Sequence, residues 1–561
     1  MKTLINYILS FLVLGQLVCS CAKPNYVAPN DDSIIKDFYA TLEGKGRERL
    51  FESTISNDTI YVNIDYYYPI DSDNEVDLSK ILLKASVPVD AKIEPSLEGF
   101  TDLNNPLHIT VTAGDGTQSK YVVVANKKGN TDVFAATLYY EDVLGATQEV
   151  SAIILGTNIN FSLVPGTVLN NPRVIYTINR HASASIPNGG AVNLDNDVPF
   201  VVTSAGNARK TYTMKVVEAK KLAKGIRPGS AKVMFAKKLK DDLGLPDDHL
   251  TTGLAVSGKY LVINTRNRNS IYLNGVTGQK EGEVDMTGFI GSLRNFYATS
   301  DNAGNILVCN LTTNDGNTFM IYKVTSVNAT PQPFISWNTG GRGFGRKFSV
   351  VGDINQNAII TAPLVGNATQ NSFARWQVSN GQLVSHTPDI IDINGYAWNW
   401  NNADVKYMTP SLSSDYYVVG YNPSTNNLGK VSGQNHSVTS ANTTLNTNFI
   451  VNSVDYIEFN NGKYVAYNHV NGFNWGAADQ VFLLDAEMPL VGDPSSATAP
   501  TNLIWAAPKG AYGPNAASAA TNTNATGDVV MAVSENGYFL YLYFMFTNGY
   551  VVGVQFDCID I

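Results

Sequence analysis

Charge is scarce in this chain. Of 561 residues only 16% are Asp, Glu, Lys or Arg, and the net charge is −9, so no global field draws in nucleic acid. The densest basic stretch, Lys215 to Lys240, reads as a solvated linker and edge strand rather than an anion site. Cysteine is scarcer still, with four in the whole chain, too few for a disulfide scaffold in an exported protein. A single Cys309–Cys558 bridge stays open. No Gly-x-Ser-x-Gly elbow and no His-Glu-x-x-His helix occurs, which removes the commonest hydrolase and zinc-protease signatures. The six His residues are scattered and form no local metal pair. "DSDNEVD", Asp71 to Asp77, begins like a calcium loop, but Val76 stands where the loop needs Gly and Leu82 where it needs an acid. No metal and no cofactor is therefore expected. Helix-favouring Glu, Lys and Arg are sparse beside Asn, Thr, Gly and Tyr, which points to strands and turns.

What is present begins at the N-terminus. "MKTLINYILSFLVLGQLVCSCAKP" carries one early Lys, an apolar run from Ile5 to Val18 and then small residues. The run is too short to span a bilayer comfortably and reads as a secretory signal. Its end, "VCSC", resembles the bacterial lipobox, which implies a signal over residues 1–20 and acylation of Cys21. Membrane lipid is then a partner, since each buried CH₂ of an acyl chain contributes about 0.8 kcal/mol. Residues 21–30, polar and Pro-containing, read as a flexible tether.

Two segments then repeat. "DFYATLEG" from Asp37 matches "VFAATLYY" from Val133, and each copy closes on an Ala-Gly turn (Ala113-Gly114, Ala205-Gly206) followed by a Tyr-led strand (Tyr121, Tyr212). An offset of roughly 90–96 residues suits a β-sandwich. The expectation is two tandem immunoglobulin-like sandwiches, 31–128 and 131–220. From about residue 230 a turn-plus-strand unit recurs: "SGKYLVIN", "AGNILVCN", "NQNAIITA", "SDYYVVGYN", "NGKYVAYN" and "NGYFLYLYF". Six all-β units of roughly 55 residues predict a β-propeller over 230–561, with seven blades as the competing count. The strand "AKVMFAKKL" near Ala231 is placed to complete the last blade. The fold class is thus all-β, two sandwiches followed by a propeller.

The segments entering each innermost strand should gather at one mouth of the ring. They carry Asp247, Asp248 and His249; Arg294; Arg342 and Phe344; Tyr396, Trp398, Asn399 and Trp400; Asn448 and Phe449; and Tyr512. Trp475, in "NGFNWGAAD", reads as an exposed hairpin residue and a further candidate for ligand contact. Flat rings cover the apolar faces of sugars, while amides, carboxylates and guanidinium groups pair with hydroxyls. For Tyr396, Trp398 and Trp400, alternating with small or polar residues, packing and ligand platform both stand. Trp376 reads as core. Asp247, Asp248 and His249 suit a turn cap, and "GGRGFGRK" suits tight turning better than an anion nest.

The lipobox, tandem sandwiches and C-terminal propeller together resemble surface lipoproteins of Bacteroidetes-type bacteria, many of them glycan-binding proteins of polysaccharide-utilisation systems. The resemblance implies an exported, lipid-anchored, non-catalytic protein at the outer membrane, facing the exterior. It would capture a polysaccharide or oligosaccharide at the propeller mouth for an outer-membrane transporter or another surface protein. An adhesion or assembly protein is the alternative reading, and a polysaccharide hydrolase or lyase the third.

Overall fold

The computed structural model describes residues 28–45, 49–70, 72–142, 145–291, 293–312, 318–399, 402–422, 427–442, 449–471, 479–496 and 498–560. Among these the chain is nearly all β, with one four-residue helix, Pro514–Ala517, and one 3-10 turn, Leu78–Lys80. It divides into two compact units, Met1–Leu163 with Val168–Val217, and Val164–Thr167 with Glu218–Ile561. Residues 1–20, read above as a secretory signal, and Cys21 lie outside the described residues.

The first unit holds two hydrophobic cores. One gathers Phe38, Phe51, Ile60, Val62, Leu83, Val111 and Val123; the other gathers Leu138, Phe161, Val174, Phe200, Tyr212 and Met214. Strict alternation builds both. In Thr59–Asp65, Ile60, Val62 and Ile64 point inward while their neighbours stay at least partly exposed. The strands around the first core form one continuous path of eight, in which Thr59–Asp65 runs parallel to Gln118–Lys128. Around the second, a three-stranded and a five-stranded sheet are separate. The two repeats are therefore alike in sequence landmarks but not in strand pairing. Between them, Asn179 donates to Ile70 O at 3.2 Å, Arg180 takes both oxygens of Asp73 at 3.0 Å, and the His181 ring stacks on Tyr67 at 3.8 Å.

Among its described residues the second unit forms six antiparallel sheets in chain order. Their first strands are Thr251–Ser257, Tyr297–Ser300, Ser349–Gly352, Ala403–Tyr407, Val454–Phe459 and Gly527–Val533. Each first strand adjoins that of the next sheet, and the sixth adjoins the first, so the cycle closes. First and second strands are buried on nearly every residue, whereas fourth strands such as Lys280–Val284 and Val438–Ala441 are at least partly exposed at all residues but Val284. Burial thus falls from the middle of the cycle outward. The tight hairpins use the expected turn chemistry: Gly258 has φ +57, and Asn460 and Asn461 have φ of 45 and 61. The strand Lys232–Lys238 pairs with Tyr550–Asp557 and supplies the outermost member of the sixth sheet. Cys309 and Cys558 are both buried and free, so the bridge left open by the sequence is not formed.

Candidate functional site

Inner strands packed on all sides leave little room for charge, yet charge is concentrated there. Asp528, on the first strand of the sixth sheet, is 1% exposed. Its carboxylate accepts from Leu254 N at 2.6 Å, Tyr297 OH at 3.0 and 3.1 Å, Lys347 Nζ at 2.7 Å and Ser453 Oγ at 2.6 Å. Those donors belong to the first, second, third and fifth sheets or the segments entering them. A buried carboxylate is tolerable only when filled in this way. Burial, and then the Asp528 charge, hold the Tyr297 hydroxyl protonated well above its ordinary range. Asp404, which accepts from Ser349 Oγ at 2.6 Å and Val454 N at 3.2 Å, has its pKa raised by burial, with Lys347 acting against the rise. This hub fastens the sheets together; its polar atoms are used up on one another.

Beyond the hub, where the first strands end, opens a cavity of about 990 Å³. All six sheets line it, through Val256, Ser300, Gly352, Lys406, Asp455 and Val530 among others. Of its four acids, Asp301, Asp455 and Glu458 are engaged, while Glu535 is exposed. Lys406 Nζ bonds Asp455 at 2.8 Å and Val350 O at 2.7 Å, and Glu458 accepts from Tyr456 OH at 3.0 Å. Asp301 accepts the backbone N–H groups of Ala303, Asn305 and Ile354. Tyr541 is half-buried on the wall. The volume lies at the upper end of small-ligand sites.

This cavity is at the other end of the strands from the residues singled out in the sequence. At the entry end, Trp398 is fully buried, its Nε1 donating to Leu364 O at 3.0 Å with Gly420 packed under its Cβ. Tyr396 is 8% exposed and donates to Asn427 O at 2.7 Å. Both belong to the core between the third and fourth sheets, with Phe373, Tyr407 and Tyr416, so the side on which the alternating rings fall is protein. Phe344 is likewise core, at 5.2 Å from Trp337, and Phe449 is buried against His469 at 3.7 Å. These rings are removed from the ligand platform. Trp376 is buried as read. Trp400, Trp475 and Asn448 lie outside the described residues. Asn399 accepts from Thr369 Oγ1 at 3.0 Å, and Tyr512 is half-buried against Phe544 at 5.5 Å. Arg294 and Arg342 are exposed, Arg342 over the Trp337 ring at 5.5 Å. Asp247 pairs with Lys240 and Asp248 with Arg268, each at 3.0 Å, and His249 Nδ1 meets Asn548 Nδ2 at 2.8 Å. No group of three potential metal ligands occurs among the described residues.

The family model for a domain of unknown function, DUF8500, matches residues 233–557, from the closing strand to the end of its partner. The chain belongs to this family. A second model, domain of unknown function DUF5018, matches residues 16–125. No curated protein matches the chain. Among solved structures it is similar to a DUF4623 family protein from Bacteroides eggerthii, with TM-score 0.45, 14% identity, and 76% of this chain and 98% of that one covered. It is also similar to hydrazine synthase of Kuenenia stuttgartiensis, with TM-score 0.29, 12% identity and 52% and 73% covered. A putative glycoside hydrolase from Bacteroides thetaiotaomicron follows, with TM-score 0.15, 14% identity and 37% and 64% covered.

Within the DUF8500 region the sequence reading missed two arginines at the entry end, Arg266 and Arg346. Their guanidinium carbons lie 4.6 and 5.9 Å from the centre of the Phe296 ring. Arg266 follows the second strand of its sheet, and in an up-and-down sheet that hairpin shares a face with the entry segments. Examining both sets of loops would have found it. Arg346 stood in plain view in "GGRGFGRK", read there as a turn.

Proposed function

We propose that this protein is a lipid-anchored, non-catalytic binding protein of the cell surface in a Bacteroidetes-type bacterium, and that it captures a glycan for a transporter or surface partner. In this reading Cys21 carries the acyl chains, the first unit is a pair of immunoglobulin-like sandwiches, and the DUF8500 region is a six-bladed β-propeller. The observation that carries the reading is the cavity of about 990 Å³ lined by every sheet of the ring. Its wall combines tyrosine rings with amide, hydroxyl and charged groups, the mixture that sugar recognition uses. Glycoside hydrolysis needs one carboxyl kept protonated and a second free to act across the bond. Asp455 and Glu458 are instead tied to Lys406 and Tyr456 and Asp301 to backbone N–H groups, which leaves Glu535 without a second free carboxyl among the described lining residues and favours holding a ligand over cleaving it.

The test is electrophoresis of the protein, beginning after Cys21, through gels cast with neutral and acidic polysaccharides, followed by calorimetric titration with the one that retards it. Tyr541→Ala is expected to weaken binding by about tenfold or more, roughly 1.4 kcal/mol, with its unfolding temperature little changed. Retardation by none of the polysaccharides, or by one equally in the wild type and Tyr541→Ala, would sink the assignment.

A further inference from the structure

We propose that the entry end of the ring binds an oxyanion, a sulfate or carboxylate group, held by Arg266 and Arg346 over the Phe296 ring. This site is separate from the cavity at the other end and stands independently of the glycan reading. Three observations build it. The two guanidinium groups converge: Arg266 NH2 reaches His249 O at 3.5 Å, Arg346 NH2 donates to Asn524 O at 2.8 Å, and Asn524 Nδ2 itself donates to His249 O at 3.2 Å. One patch, contributed by the first, second, third and sixth sheets, therefore gathers both heads. Next, neither arginine has a carboxylate within ion-pair distance among the described residues, and the buried Nε of Arg266 has no hydrogen-bond partner there. Asp248 is the acid near Arg266, and it is spent on Arg268 at 3.0 Å and Leu250 N at 3.1 Å. Asp528 is filled at the hub. Arg294 and Arg342, exposed at the same end, add positive charge and have no ion-paired acid among the described residues.

Finally, the backbone fixes where Arg346 starts. Gly345 has φ +101, and a Cβ there would meet Asn310 O at 1.9 Å, so only glycine fits. Two like charges held over one ring and partly removed from water repel, and each donor fork is left incomplete. Burial, and then the Arg266 charge, push the Arg346 guanidinium down to about 10, and burial lowers Arg266 as well. An oxyanion relieves the repulsion and fills both forks, since planar guanidinium matches carboxylate and sulfate geometry.

The experiment is calorimetric titration of the full protein with sodium sulfate, sodium glucuronate and neutral glucose, ionic strength being held constant with chloride. Saturable one-site binding of at least one anion is expected, with none for glucose. Binding of glucuronate but not sulfate would assign the group to an acidic sugar; the reverse would assign it to a sulfate ester or the free ion. Arg266→Gln and Arg346→Gln are each expected to weaken it about tenfold or more, and Arg209→Gln, at an exposed arginine of the first unit, to leave it within about twofold. If a glutamine variant does not fold, Arg266→Lys and Arg346→Lys, which keep the charge and lose the fork, take its place and must weaken binding as well. No saturable binding of either anion by the wild type overturns the proposal, as does unchanged affinity in folded variants of both arginines. Neither result depends on which polysaccharide, if any, the opposite cavity holds.

Discussion

His469 and Asp479 sit close in sequence at the fifth sheet and oppose each other in their response to pH. His469 is buried against the rings of Phe449, Phe482 and Tyr467, and burial lowers its pKa from 6.5 to about 3. On acidification from pH 6.5 the unfolded chain takes up that proton and the folded chain does not, so stability is lost. Asp479, buried with its Oδ1 accepting Asn471 N at 2.8 Å, has a pKa raised by burial to about 6. Here the folded state takes the proton first, so stability is gained as pH falls from 6 to 3.8. The two slopes, each up to about 1.4 kcal/mol per pH unit, nearly cancel over that window. His469→Phe keeps a ring on Phe449 and removes the loss. Relative to the wild type it is expected to be more stable at pH 4.5 than at pH 7 by about 2–3 kcal/mol. Asp479→Asn should have the opposite effect, exposing a loss that begins near pH 6.5. Urea unfolding at pH 4.5, 5.5 and 7 checks both, and parallel curves for wild type and variants would refute them. Trp398→Ala, at a fully buried indole, is expected to cost about 3–5 kcal/mol; a loss under 1 kcal/mol in the same urea measurement would return that ring to the surface.

At the scale of the strand and sheet, the Asp528 hub is the element that ties the ring. Removing its carboxylate leaves Lys347, 4% exposed, with Gly527 O at 2.9 Å and the Tyr297 ring but no ion-paired carboxylate. Asp528→Ala is therefore expected to cost about 3–5 kcal/mol. Removing both charges together, Asp528→Leu with Lys347→Met, should cost less than Asp528→Ala alone, because an unpaired buried charge is worse than none. Comparing the urea midpoints of the two variants decides it, and a double variant less stable than the single one contradicts the argument.

At the scale of the molecule, the DUF8500 ring depends on a strand from its own beginning to finish its last sheet. Lys232–Lys238 pairs with Tyr550–Asp557, Arg227 takes both oxygens of Asp557 at 2.7 and 2.6 Å, and Leu222 N donates to Cys558 O at 2.7 Å. A chain beginning at residue 245 exposes Tyr550–Asp557, an apolar strand, as a sheet edge. Such an edge pairs with other chains. This chain is expected to scatter light on mild heating, while one beginning at residue 218 stays monomeric with a single cooperative transition. Equal behaviour of the two in a thermal scan with light scattering would show that closure does not matter.

Much of this was legible beforehand because it is local. Strand, turn and repeat follow from period-two burial and from Gly and Asn in tight turns, so six turn-plus-strand units and the late partner for the first strand could be read from residues near one another in the chain. The side of Trp398 could not. Alternation puts Tyr396 and Trp398 on one face, but whether that face meets water or the next sheet depends on strands many residues away, Tyr416–Gly420 and Ser372–Ser379. The hub was equally hidden, since Leu254, Tyr297, Lys347, Ser453 and Asp528 are near only after the ring closes. Sequence by itself determined the all-β character, the order of the strands and where hairpins turn, since these rest on backbone preference and short-range pattern. Tertiary structure alone decided which rings are core, which charges are spent and which arginines are left facing one another, because burial and pairing belong to neighbours in space.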